Sequence, residues 1–213
     1  MGSPANRLKP AGGKASPEKV LRQPLGVRLQ VLALFLIFTT EIISGFYIFR
    51  PTPYLGFQTM DSARLVHFTA AYLLVAVFLF RLYYILATGY YSEVWFQIQD
   101  ISAIPGMMLY YLFLAKTMPP CGKYNALQKL LYSSWMVFIA VQIITGFTVY
   151  APARFQRLAA LLGGLNHVRY LHFLTAVAIA ASSSAHIYLA TTQDWDKLAA
   201  MFTGYITRKK AQN

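Results

Sequence analysis

The sequence predicts an all-α integral membrane protein, a four-transmembrane-helix bundle with an interfacial helix between helices two and three. Three observations lead there. The 213 residues are 57% hydrophobic and 12% charged, whereas a soluble domain carries roughly a quarter charged residues. Four apolar runs each approach the ~20 residues that a helix needs to cross ~30 Å of hydrocarbon. The basic residues behind the net charge of +12 gather in the two tails and in loops beside those runs. That placement follows the positive-inside rule rather than a nucleic-acid-binding face. The expected surroundings are therefore the lipid bilayer, with no nucleic acid as partner.

Taken in order, residues 1–26 are rich in Pro, Gly, Ala and Lys and read as a disordered basic tail. No apolar h-region precedes about residue 31, so no cleaved signal peptide is expected. The membrane domain covers 27–207, with spans at about 28–49, 63–88, 127–150 and 168–191, and a second basic tail follows at 208–213. Arg50-Pro51-Thr52-Pro53 ends the first span, because proline cannot continue a helix. The apolar run from Ile104 to Ala115 is too short to span and opens on Ile104-Pro105-Gly106, which suits a helix lying on the membrane surface. Tyr83, Tyr84, Trp95, Tyr110 and Tyr111 read as an interfacial aromatic belt. Most Lys and Arg lie in the two tails and the 89–126 loop, which puts both termini in the cytoplasm and faces 50–62 and 151–167 outward. Arg50, Arg154, Arg157 and Arg169 dilute that contrast. A single cysteine, Cys121, rules out a disulfide framework or a cysteine-built metal site within this chain.

The two halves resemble each other. Ile42-Ile43-Ser44-Gly45-Phe46 closes the first span and Ile143-Ile144-Thr145-Gly146-Phe147 closes the third. Each is followed by an outward loop and then by Arg64-Leu65-Val66-His67-Phe68 or Arg169-Tyr170-Leu171-His172-Phe173. The glycines are 101 residues apart and the histidines 105. This is a repeated helix hairpin with a small insertion, and it implies a quasi-twofold bundle. An ionisable side chain inside a membrane is costly and marks a functional site by default. His67 and His172 lie at one depth on helices running the same way, and Gly45 and Gly146 face that depth from the other two helices. Two imidazoles and two glycines are what a bis-histidine haem b between four helices requires, the histidines ligating the iron and the glycines making room for haem packing. The competing reading makes the histidines hydrogen-bonded bundle glue and the glycines close-packing points.

Other residues are read beside that pair. Arg64 and Arg169, one turn outside the histidines, suit haem propionates through bidentate pairing, or serve as interfacial anchors. His186 follows His172 by fourteen residues, within about 40° of the same helix face and ~21 Å deeper. It reads as a remnant of a second haem level, as a quinone-site hydrogen-bonding group, or as one ligand of an unusual haem. The inward end of helix one, Arg28-Leu29-Gln30-Val31-Leu32, offers it no histidine partner. Glu41, mid-span, is expected to relay a proton or contact quinone, or to make a polar contact with Arg81, Gln142 or a hydroxyl. His167 is five residues before His172 and reads as a solvated or partner-facing group.

These residues carry a resemblance over about 25–207. The pieces are Arg28-Leu29, Ser44-Gly45-Phe46-Tyr47-Ile48, Arg64-x-x-His67-Phe68-x-Ala70-Ala71-Tyr72, and Arg81-Leu82-Tyr83-Tyr84. Then come Tyr110-Tyr111-Leu112-Phe113-Leu114, Thr145-Gly146-Phe147, Val168-Arg169-Tyr170-Leu171-His172, His186-Ile187-Tyr188 and Met201-Phe202-Thr203-Gly204-Tyr205. In order and spacing the chain resembles the b-type cytochrome subunits of membrane-bound nickel–iron hydrogenases. These belong to the bacterial cytochrome b561 group that includes formate dehydrogenase gamma subunits. The resemblance implies a multi-pass subunit of the bacterial inner membrane. It would relay electrons from a periplasmic iron–sulfur or cytochrome subunit of a larger complex, through haem b, to quinone. It also implies that His67 and His172 hold an outward haem and His186 one side of an inward haem. The fourth ligand should follow Arg-Leu-x in helix one, where this chain has Val31. The Gly-His-Asn usual before helix three is Gly122-Lys123-Tyr124-Asn125 here. One haem is therefore expected, in an electron-transfer subunit rather than a catalyst alone. The alternatives are a membrane anchor with vestigial haem sites and a stand-alone superoxide:quinone oxidoreductase of the b561 type.

Overall fold

The computed structural model describes residues 18–193 and 195–208. The element order is β1 (Glu18–Leu21), α1 (Leu25–Phe49), α2 (Met60–Thr88), α3 (Tyr91–Val94), α4 (Ile104–Tyr111), α5 (Ala126–Tyr150), α6 (Gln156–Leu161), α7 (Leu165–Gln193), α8 (Trp195–Thr203) and β2 (Tyr205–Arg208), with short 3-10 turns at Pro53–Leu55 and Ile98–Ala103. Helices α1, α2, α5 and α7 are long and apolar enough to cross a membrane. Large apolar side chains such as Phe35, Leu36, Leu73, Leu79 and Leu174 are exposed along them. Helices apolar on all sides need a nonpolar solvent, and lipid supplies it.

Local chemistry sets the helix ends. The first span stops at Phe49 because Pro51 follows. Helix α2 begins three residues before the expected Ala63, since the hydroxyl of Thr59 accepts the Ser62 N–H at 3.1 Å and caps it. Gly89, at φ 69°, closes it in the left-handed conformation that glycine adopts without steric penalty. Asn125 and Gln128 form a reciprocal capping box that starts α5 within one residue of expectation. Helix α7 begins at Leu165 rather than near Val168. The double glycine Gly163-Gly164, at φ 86° and 97°, turns the chain sharply out of α6. Helix α4, at eight residues, is about 12 Å long and too short to cross.

The described residues form two compact units. One unites the chain ends, the part up to Leu29 and the part from Leu189 onward. There β1 pairs antiparallel with β2, from Glu18 opposite Arg208 to Leu21 opposite Tyr205. The carbonyl of Gly204 accepts the N–H groups of Arg22 and Gln23, and Arg28 Nε donates to the Met201 carbonyl at 3.2 Å. The expectation of an unstructured tail to residue 26 therefore fails from Glu18 onward. A backbone ladder to the far end of the chain, invisible to local composition, orders that stretch. Residues 1–17 and 209–213, most of the two expected basic tails, lie outside the described residues.

The other unit, Gln30–Tyr188, holds the bundle. Gln30 meets Arg81 while Ser44 meets His67, so α1 and α2 are antiparallel. Trp135 meets Ser182 while Thr145 meets His172, so α5 and α7 are antiparallel too. Tyr72 against Phe147 and Phe68 against Tyr150 join α2 to α5, and Phe49 stacked on Phe173 joins α1 to α7. Ile37, Leu74 and Ile139 form the buried core between α1, α2 and α5, with Leu34, Phe38, Val77, Phe78 and Ile143 packed around them.

Candidate functional site

The repeated segments converge on one cavity of about 690 Å³ inside the bundle, within the ~300–1,000 Å³ usual for cofactor sites. His67, His172, Gly45, Gly146, Arg64, Arg169 and Glu41 all line it. The two hairpins build it in matched fashion. Ser44 Oγ lies 3.0 Å from His67 Nδ1, and Thr145 Oγ1 lies 2.9 Å from His172 Nδ1. Both hydroxyls are fully buried, and both give their only proton to a backbone carbonyl one turn back: Ser44 to Thr40 at 2.6 Å, Thr145 to Val141 at 2.6 Å. A hydroxyl so committed can only accept from the ring, so each Nδ1 carries the hydrogen. A neutral imidazole held in this way through Nδ1 is left to bind a metal through Nε2, its orientation fixed by the hydrogen bond at the other nitrogen.

The glycines are needed against the rings themselves. A Cβ on Gly45 would stand 3.3 Å from His67 Cε1, and one on Gly146 would stand 3.3 Å from His172 Cε1. They line the cavity and also let the imidazoles lie flat against α1 and α5. Arg64 and Arg169 sit at its solvent-exposed edge, with Arg169 Nη1 also donating to Asn166 Oδ1 at 3.3 Å. Among the described residues no group of three or more His, Cys, Asp or Glu side chains could hold a bare metal ion. The cavity instead offers two imidazoles and apolar walls, a lining suited to a flat, largely apolar ligand with its own metal.

The sequence model of the prokaryotic cytochrome b561 family matches residues 22–204. The chain belongs to the prokaryotic cytochrome b561 family. It is 26% identical over 155 residues to an Azospira oryzae protein bearing the name of a protein-methionine-sulfoxide reductase subunit; the match covers 68% of this chain and 78% of the relative. It is 25% identical over 182 residues to a protein of Azotobacter vinelandii, covering 71% of this chain and 72% of the relative. It is 23% identical over 203 residues to one of Escherichia coli K12, covering 79% and 82%. Both of these bear the names of nickel–iron hydrogenase B-type cytochrome subunits. Membership in a cytochrome b561 family implies haem b, and the paired imidazoles, the glycines behind them and the cavity all fit that group. The chain is thus a membrane cytochrome b with an electron-transfer role.

His186 lies off the lining of this cavity. The His186 ring is packed edge-on against Tyr132 and Trp135, centroids 5.7 and 5.4 Å away, and Phe38 stands edge-on to Trp135. Trp135 donates to Ser182 at 2.9 Å, which locks the indole in place. Val31 is 37% exposed, on the outer surface of α1. Its neighbour Gln30, 3% exposed, takes the interior position instead and accepts a hydrogen bond from Arg81 at 3.2 Å. His167 is exposed and lies against Gly163, off the cavity lining.

Sequence reasoning singled out the Ser44-Gly45 and Thr145-Gly146 pairs but gave the hydroxyls no role. The signal was present, a hydroxyl residue immediately before the glycine in both copies. For Glu41 the sequence leaves open a proton relay or quinone contact and a polar contact with Arg81, Gln142 or a hydroxyl. Glu41 Oε2 lies 2.8 Å from His67 Nδ1, because Glu41 is one turn before Ser44 on the same face of α1. Arg81 is engaged by Gln30, and Gln142 by the His172 carbonyl and Thr175.

Proposed function

We propose that this chain is the membrane cytochrome b subunit of a bacterial respiratory oxidoreductase, relaying electrons between a periplasmic redox partner and the quinone pool or another carrier. The observation that carries the reading is the pair of buried hydroxyls within hydrogen-bond distance of His67 and His172 Nδ1, at matched positions around one cavity. His67 and His172 would hold a single haem b, with Arg64 and Arg169 placed to pair with its propionates. Bound there, the haem would supply one-electron transfer. Ser44 and Thr145 fix the rings, Gly45 and Gly146 give them space, and Phe49, Phe68, Tyr150 and Phe173 add aromatic walls to the cavity. The Lys and Arg distribution supports cytoplasmic termini in the inner membrane, which turns the 50–59 and 151–164 connections and the open edge of the site toward the periplasm. The packing around His186 supports one haem per chain; quinone would then meet electrons that have left the paired-histidine site directly.

Two partners are supported by the relatives' names: a nickel–iron hydrogenase and a protein-methionine-sulfoxide reductase. The test is purification of the tagged chain in mild detergent, with a pyridine haemochrome assay and identification of co-purifying subunits. The reading predicts b-type absorbance and a periplasmic redox subunit. Absence of b-type absorbance would support a vestigial anchor. A haem-loaded chain that purifies alone and reduces quinone with superoxide would support the stand-alone reading.

A further inference from the structure

The two halves of the site differ at one residue pair. Glu41 and Gln142 hold matched positions 101 residues apart, each three residues before the hydroxyl that accepts from its histidine. Gln142 turns toward the backbone of α7: its Nε2 donates to the His172 carbonyl at 2.7 Å and to Thr175 Oγ1 at 2.6 Å. Glu41 turns toward the ring, with Oε2 2.8 Å from His67 Nδ1. Its other oxygen, Oε1, is buried and has no partner among the described residues. His67 Nδ1 therefore faces a carboxylate and a hydroxyl, whereas His172 Nδ1 has the hydroxyl of Thr145 as its acceptor.

A carboxylate accepting from the far nitrogen of a ligating imidazole makes the near nitrogen a stronger donor to the metal. A negative charge held in a low-dielectric site also favours the more positive, oxidised iron. Glu41 is the one glutamate of the three in this chain that lies inside a span. A carboxylate is costly there unless it is paired, and among the described residues its side chain's polar contact is to the candidate ligand. At the matched site a neutral amide ties α5 to the backbone and Thr175 of α7, whereas Glu41 ties α1 to α2 through the ring nitrogen of the candidate ligand itself.

We propose that Glu41 is a positioning residue that lowers the reduction potential of the haem by making His67 the more strongly donating of two unequal axial ligands. This rests on the reading that His67 and His172 hold the haem. The experiment compares wild type, Glu41→Gln, Glu41→Asp and Ser44→Ala by haem content, by optical redox titration and by the ferric low-spin EPR spectrum. Glu41→Gln keeps the side-chain size and an accepting oxygen but removes the charge. It is expected to retain haem and to shift the haem equilibrium toward the reduced form by roughly tenfold, about 59 mV for one electron. Its EPR anisotropy should change with it. Glu41→Asp keeps the charge and should fall between Glu41→Gln and wild type, and Ser44→Ala should stay near wild type. A potential within threefold of wild type in haem-loaded Glu41→Gln overturns the proposal and leaves the ligand reading intact. Full haem content in His67→Ala instead overturns the ligand reading. A measurement on the unmodified protein needs no variant to fold. In the redox infrared difference spectrum of protein labelled with carbon-13 glutamate, a carboxylate band should shift with the haem redox state. A spectrum without such a band overturns the proposal.

Discussion

Thr145→Val and Ser44→Ala remove the same kind of hydrogen bond from the two histidines, yet they should have very different effects. Thr145 is 1% exposed, and its hydroxyl is the acceptor that the structure gives His172 Nδ1, at 2.9 Å. Valine keeps the shape but leaves a buried N–H without a partner, which costs about 1–3 kcal/mol. It also frees the ring to rotate and to change tautomer. Losing an outer partner of a metal-bound histidine typically costs 10–100-fold in affinity, about 1.4–2.8 kcal/mol. At His67 the carboxylate of Glu41 remains at 2.8 Å after Ser44 is truncated. Nδ1 keeps an acceptor, and the loss should stay below about 1 kcal/mol, or fivefold. The assay is haem titration into detergent-solubilised apoprotein, read by the growth of the low-spin absorbance band. Equal losses in the two variants would refute the account of how the rings are held.

Other variants test the remaining parts. Gly45→Val and Gly146→Val should each strip most haem from the purified protein, because a Cβ already lies 3.3 Å from the imidazole and the branched methyls have no room; the matching alanine variants need the ring to shift only slightly and should retain more. His186→Ala should leave haem content unchanged, and Val31→His should add no second haem, since that position is on the outside of α1; haem-to-protein ratios decide both. Asp100 accepts hydrogen bonds from Gln97 N–H at 2.8 Å and from Lys129 Nζ at 3.0 Å. Against burial, which pushes its pKa up, these two partners hold it below the ordinary carboxylate value. Its stabilising contribution is therefore present above the unfolded value of ~3.9 and is lost as pH falls through the lower folded value. Asp100→Asn should lower thermal stability by under about 1 kcal/mol at pH 7 and flatten the acid limb below pH 4, as followed by unfolding scans from pH 7 to pH 3.

The four helices were legible because length and uniform hydropathy decide what crosses a bilayer, and α5, Ala126–Tyr150, lies within a residue of the expected 127–150. Helix starts were less so, as Thr59 and the Gly163-Gly164 turn added a turn each to α2 and α7 through capping rather than hydropathy. The β1–β2 ladder joins segments 184 residues apart, Leu21 and Tyr205 at its inner rung, and no local pattern encodes such a pairing. The internal repeat singled out His67, His172, Gly45 and Gly146, which the fold brings to one cavity, because symmetry doubles a weak signal. The contact of the asymmetric residue was not legible. Glu41 has no acidic counterpart in the second hairpin, and its rotamer, toward His67 rather than Arg81 or Gln142, is a matter of three-dimensional packing. Gln30 was passed over in the same way, its neighbour Val31 occupying the place where a ligand was sought.

The most direct test is the haem content of the purified chain, wild type beside His67→Ala and His172→Ala, by pyridine haemochrome and EPR. The account predicts one low-spin b-type haem per wild-type chain and nearly none in either variant. Two haems in the wild type, or full haem after loss of either histidine, would contradict it.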